Sequence, residues 1–255
     1  MKKVVLAAVL ISGFVAIPFA QDENETLIVT PVNERGWSTA DTRPGGAVTF
    51  VQDATAPGGS GALQLTTDVT TTAKAQYLHA ASTPLADVTD LSYYAKQNSA
   101  GFAGGDPSYQ LIMNLCGTTG FTTLVFEPYE NGTVTPGVWQ LWNVADGHMW
   151  SSRNVTCGSS SVLAGFGGAP FYTLTDLQVA FPNAVVIGFG VNIGTNNPAY
   201  NVEADLVRFN DTTYDFELFS TPNDKDECKK GGWSTFNPPT GPYKNQGQCV
   251  SAANH

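Results

Sequence analysis

The sequence predicts an all-β protein: a two-sheet, antiparallel, jelly-roll-like sandwich followed by a small disulfide-closed tail. Three observations lead there. Apolar and polar residues alternate with a period of two along most of the chain, the signature of half-buried strands. Gly, Pro, Asn and Asp punctuate the alternation at short intervals. No stretch keeps a helical period over three turns.

The strands follow in order. "AVTFVQD" (47–53) and "GALQLTT" (61–67) alternate cleanly across the turn "APGGSG". "AKAQYLHA" (73–80), "TDLSYYAKQ" (89–97), "YQLIMNLCG" (109–117), "FTTLVFEPY" (121–129) and "GVWQLWNV" (137–144) come next. "AVVIGFGVNIG" (184–194) is apolar almost throughout, which places it mid-sheet, and Gly188 and Gly190 within it mark a bulge or a close contact. "VEADLVRFN" (202–210) and "TYDFEL" (213–218) close the series. Strands at this spacing build sandwiches. The best helical segment is "YTLTDLQVAFPN" (172–183), where Thr173 or Thr175 would cap and Pro182 would stop; extended structure competes there.

The chain's outer segments read differently. "MKKVVLAAVLISGFVAIPFAQDENET" has the basic start, short apolar core and small residue of a secretory signal peptide, with cleavage after Ala20. Export to the cell surface or medium follows, with no membrane span after cleavage. Residues 21–218 would form the sandwich and 219–255 a linker and tail. Losing Lys2 and Lys3 with residues 1–20 takes the net charge from -10 to -12. A surface that acidic repels phosphate backbones, so nucleic acid is excluded as a partner. Four cysteines in an exported chain imply two disulfides. Of three pairings, proximity favours Cys116–Cys157 and Cys228–Cys249.

Catalytic and metal chemistry find little support. Only three histidines occur, none at zinc spacing. No cofactor is expected. A structural calcium is the alternative, with Asp205 and Asp215 as its candidate ligands, although no loop has EF-hand spacing. Glycosidases need two carboxyls flanking a cleft. Glu203 and Asp205 share one strand face, but Val207 and Arg208 stand where a third acid of laminarinase-like hydrolases would be. Glu127, beside Pro128, is the other candidate acid.

Binding is better supported. Sugars stack on exposed aromatic faces with amides and acids nearby for their hydroxyls. Residues 129–153 hold Trp139, Trp142 and Trp150. Trp139 and Trp142 are three apart, so they face opposite sides of a strand. Trp150 follows the "ADG" turn and would join Trp142 across a hairpin. The predicted ligand site is therefore Trp142, Trp150, Asn143, Asp146 and Arg153, against a plain core role for the tryptophans.

Several segments are familiar together: "GWSTADTRPGGAVTFV", "GALQLTT", "KAQYL", "PLADVTDLSY", "GFTTLVFEPY", "GVWQLW", "GFGVNIG" and "TYDFE". They resemble a group of secreted bacterial β-sandwich proteins of unassigned function. The ending "CKKGGWSTF…YKNQGQCVS" resembles a short C-terminal motif of exported bacterial proteins, departing from it at Tyr243 and in "NPPTGP". The resemblance implies export and a sandwich, and no activity. "GSGALQLTT" also resembles the opening of carbohydrate-binding jelly rolls.

The function expected from the sequence is a non-catalytic binding or surface-associated protein whose partner is a polysaccharide or another envelope polymer. A sandwich glycoside hydrolase or lyase and a purely structural envelope protein are the alternatives. The tail, with Lys229, Lys230 and Lys244, reads as a clip on the sandwich or as a weakly basic anchor.

Overall fold

A computed structural model describes residues 24–158, 161–165 and 167–253. The predicted signal peptide lies outside them. The described chain is a two-sheet sandwich with a small C-terminal appendage.

Seven strands form the first sheet: β1 (Glu25–Val29), β3 (Gly46–Gln52), β4 (Gly61–Thr67), β6 (Leu91–Ser99), β9 (Gln140–Asn143), β14 (Asn201–Phe209) and β15 (Thr212–Phe216). The central β14 has β6 along one edge. Its other edge is shared between β4, opposite residues 201–204, and β15, opposite residues 207–209. The second sheet runs β10 (Met149–Ser151), β8 (Phe121–Phe126), β7 (Ser108–Asn114), β13 (Val185–Ile193), β5 (Ala75–Pro84) and β2 (Trp37–Ser38). A separate hairpin joins β11 (Val155–Cys157) to β12 (Ser161–Leu163). One pair departs from the antiparallel expectation: β1 lies parallel to β15. That pairing ties the start of the described chain to the last strand of the sandwich.

Alternation assigns the faces. Leu63, Leu65, Tyr93, Ala95, Val202 and Ala204 of the first sheet turn inward, as do Tyr77, Tyr109, Leu111, Leu124, Phe126 and Phe189 of the second. Trp37 caps one end of this core, stacked on Tyr77 at 5.3 Å and edge-on to Phe189, Tyr214 and Phe216. The mid-sheet strand is β13, flanked by β5 and β7, and its register shifts between Val186 and Gly188 against both neighbours. A Cβ at Gly190 would stand 2.1 Å from the Tyr77 carbonyl oxygen of the next strand, so the close contact is within the sheet.

The short helices agree with their local signals. α1 (Pro128–Asn131) begins with Pro at its first position, where a missing N–H costs nothing. It cuts the predicted strand 121–129 short at Phe126. α2 (Leu174–Ala180) is capped by Thr173, whose hydroxyl accepts from the Asp176 amide while Asp176 reaches back to the Thr173 amide. Leu174 and Leu177 are its buried face, and Pro182 follows its end.

Both expected disulfide pairs are present, Cys116–Cys157 and Cys228–Cys249. The second closes the tail around α3 (Gln246–Ala252). There Tyr243 and the two cysteines form a small buried cluster, with Trp233 and Phe236 against it. Asn237 ties the tail to the linker, donating its side-chain amide to the Leu218 carbonyl at 2.6 Å.

Candidate functional site

The outer face of the six-stranded sheet lines a groove of about 1100 Å³. Register builds it in rungs. One rung crosses the sheet as Trp150, Val125, Gln110, Gly190 and Leu78. The next carries Ser108, Asn192 and Gln76, and another Thr123, Ile112 and Gly188. These positions alternate with core residues such as Tyr77, Tyr109, Leu111, Leu124 and Phe189, which puts them on the outer face. Gly190 leaves the middle of the floor without a side chain.

The polar rung is braced. Asn192 donates its amide to Gln76 Oε1 at 3.1 Å, and Gln76 donates to the Ala40 carbonyl at 2.6 Å. Ser108 donates to the Asn192 carbonyl at 3.1 Å. Those bonds fix the rung, whose three residues are buried. On the β5 side the wall carries Arg43 and Lys74, the latter paired with Asp41 at 2.5 Å.

On the β8 side the wall is aromatic and acidic. Tyr129 of α1 and Phe102 of the loop before β7 meet edge to face at 5.3 Å and are about half exposed. That loop packs tightly: a Cβ on Gly105 would meet the Tyr200 hydroxyl at 2.4 Å. Gln97 of β6 holds it by donating to the carbonyls of Ala103, at 3.1 Å, and Gly105. The Tyr93 hydroxyl donates to the Pro107 carbonyl at 2.5 Å. Asp106, between these anchors, is buried, and neither carboxyl oxygen has a hydrogen-bond partner. Burial pushes its pKa up to about 8, and the nearby Trp142 indole offsets that only in part, without a hydrogen bond of normal geometry. Burial likewise pushes Glu127 up to about 8, helped by Glu130 and opposed by Trp150.

The predicted ligand residues separate. Trp150 lines the groove. Arg153 sits over the Phe121 ring at the rim, 5.0 Å from its centroid. Trp142 is corrected to the core: it is 8% exposed and lies on β9, in the other sheet. The hairpin expected to bring it to Trp150 does not form, because β9 pairs with β6 and β10 with β8. Asn143 and Asp146 bond each other at 2.5 Å in the turn after β9, away from the groove. Trp139 donates its indole N–H to Asp53 at 3.0 Å.

The predicted acids separate too. Glu127 lines the groove. Glu203 and Asp205 share a face as expected, but it is the outer face of the seven-stranded sheet. Glu203 lies against the Lys96 ammonium at 2.7 Å and accepts from Asn98 at 2.7 Å. Lys96 also pairs with Asp53. Burial works against the charge of Asp53, and bonds from Lys96, Thr55 and Trp139 overcome it, holding the carboxyl well below the usual range. Asp205 is fully buried and spends both oxygens on the amides of Phe216, at 3.0 Å, and Gly58, at 3.1 Å. Burial pushes it up to about 8 and Asp215 up to about 6. Among the described residues no three His, Cys, Asp or Glu side chains gather to hold a metal ion.

Phe102, Asp106, Gln110, Tyr129 and Asn192 escaped sequence reasoning. Gln110 and Asn192 had a signal, as polar residues at outward positions of otherwise apolar strands. Phe102, Asp106 and Tyr129 stand on a loop and a short helix, where no period points.

No protein-family model matches the chain, and no curated protein matches it. Among solved structures it is similar to a family 11 carbohydrate-binding module from Clostridium thermocellum, solved with a β-1,3-1,4-mixed-linked tetrasaccharide. The TM-score is 0.40 at 11% identity, covering 69% of this chain and 88% of that one. A second structure, a family 11 module of a cellulosomal cellulase of the same organism, gives 0.38 at 9% identity, covering 68% and 86%.

Proposed function

We propose that this is a non-catalytic glycan-binding protein that holds a polysaccharide segment along the groove of the six-stranded sheet. The observation that carries the reading is the groove's composition. Trp150, Tyr129, Phe102 and Phe121 offer aromatic surface, and Gln110 offers an amide beside the braced Asn192–Gln76–Ser108 rung; Gly190 leaves the floor low in the middle. Sugar C–H faces stack on such rings while hydroxyls take the amides. At about 1100 Å³ the groove exceeds an ordinary small-molecule pocket and suits several linked sugar units. Two disulfides fit an oxidising, extracellular setting, where envelope polysaccharides are found.

A second reading, glycoside hydrolysis, draws on Asp106 and Glu127 lining one groove. Hydrolysis needs one carboxyl protonated and its partner ionised. Here burial pushes both up to about 8, so both favour the protonated form at neutral pH and neither stands out as the ionised partner. That favours binding over cleavage.

The test is a glycan array followed by calorimetry with wild type and Trp150→Ala. The expected result is binding to one class of polysaccharide, weakened about tenfold or more by the substitution, from the loss of one stacking face. Wild type that binds no polysaccharide would sink the reading. Release of shorter sugars from a bound polymer would favour the hydrolase instead.

A further inference from the structure

We propose that the end of the groove formed by Asp106, Glu127, Phe102 and Tyr129 is a subsite for a cationic amine, so that the polymer held there is a hexosamine glycan bearing free amino groups. The inference rests on the glycan-binding reading and names its ligand class.

Asp106 is the starting point. It is 4% exposed, lines the groove, and makes no hydrogen bond of normal geometry with either oxygen; the neighbouring Trp142 indole, neutral and likewise unbonded, lowers its pKa only in part. Buried polar groups in folded proteins are almost always paired, because an unpaired one forfeits its hydration for nothing. Among the described residues no cation stands against either carboxyl at this end. The groove's cations, Arg43 and Lys74, stand on the opposite wall, and Lys74 is already bound to Asp41. Glu127 faces the same end of the groove, equally without a cation. Gln97 and the close fit of Gly105 on Tyr200 hold the Asp106 loop in place, so the carboxyl cannot easily swing out to water.

The surroundings select the kind of cation. A divalent metal would want six to eight oxygens, and the described residues assemble no such set. An ammonium needs few carboxyl oxygens and is further stabilised over aromatic faces. Tyr129 and Phe102 present such faces, exposed to 43% and 51%. The net charge of -10 draws a cationic polymer to the surface before it docks.

Titration agrees with the geometry. The groups facing the two carboxyls are Tyr93 from β6, Tyr129 and Glu130 from α1, Tyr200 from the turn before β14, and the indoles of Trp142 and Trp150, with no cation among them. Both carboxyls are therefore protonated at neutral pH until a cation arrives. Binding an ammonium ionises them, and each proton lost goes to solvent.

The experiment is calorimetry with three probes: a fully deacetylated glucosamine hexamer, its N-acetylated counterpart and cellohexaose. Wild type, Asp106→Asn, Glu127→Gln and Trp150→Ala are compared, each checked for folding by thermal melting. The expected result is a deacetylated hexamer bound about tenfold more tightly than either neutral probe. Proton release on its binding is expected, measured at pH 5.0, where the hexamer's amines are already charged, in two buffers of different ionisation enthalpy. Asp106→Asn should remove most of that preference. Trp150→Ala should weaken all three. Neutral probes bound as tightly as the amine, in a Trp150-dependent way, would overturn the amine subsite and leave the glycan groove standing. A preference that survives both carboxyl substitutions would also overturn it. No binding of any hexamer would remove both readings together.

Discussion

On the outer face of the seven-stranded sheet, Glu203 meets the Lys96 ammonium; beside the outer face of the six-stranded sheet, Asp106 meets no cation. Both carboxyls are buried, and both sit outside the hydrophobic core. The first is locked into a network with Asp53, Asn98 and Trp139, every member within the chain. The second lies at the end of a groove rimmed by half-exposed rings. A satisfied carboxylate holds strands together. An unsatisfied one, kept in place by its neighbours, marks where something else belongs.

The comparison can be broken most easily on its structural side. Lys96→Met leaves Asp53 and Glu203 facing each other without a cation, and breaking a buried pair this way costs about 3–5 kcal/mol. Urea unfolding should show it as a lower midpoint. Trp142→Ala, in the core, should cost a similar amount, about 3–5 kcal/mol. Its glycan affinity at saturating folded fraction should match wild type, whereas Trp150→Ala should show the reverse pattern. Equal binding losses in the two tryptophan variants would erase the distinction between the sheets.

The next effect is smaller and depends on pH. The folded-state pKa of Asp106, about 8, lies above its unfolded value near 4. Its contribution to stability is therefore fully present below about pH 4 and is lost as pH rises through 8. Asp106→Asn should flatten the decline between pH 5 and pH 8 by up to one proton's worth of slope, read from urea unfolding at several pH values. A variant with an unchanged slope would mean that Asp106 is already paired. Smallest of all, Asn143→Ala should stay within about 0.5 kcal/mol of wild type, as an exposed position at the end of β9. It should bind glycan normally.

Much of the fold was legible because it is written in a period of two. β4 spans 61–67 as read, and Thr173 caps α2. The same alternation placed Glu203 and Asp205 together on one outward face. It could not say what that face meets, since Lys96 lies on another strand more than a hundred residues earlier. The tryptophans show the limit more sharply. Parity correctly set Trp139 against Trp142, but parity is a property of one strand. Which sheet a strand joins depends on partners far along the chain, and β9 and β10 part company across a turn that looks like a hairpin. The acidic end of the groove was less legible still. Asp106 and Tyr129 acquire their role from loop packing against Tyr200 and Gln97, contacts no local pattern encodes.

Lys96 and Gln97 are adjacent on β6 and face opposite ways. Lys96 stands directly across from Glu203, and Gln97 across from Val202. The pairing of β6 with β14 is irregular on both sides of this stretch, between Asn201 and Val202 and between Asp205 and Arg208. Irregular joints are where a strand could slide. A slip of one residue would turn the ammonium toward the interior and the amide out to solvent, undoing the ion pair and releasing the Phe102 loop at once. This neighbouring couple thus works as a spelling check on the sheet: only the correctly aligned chain assembles the rim of the groove.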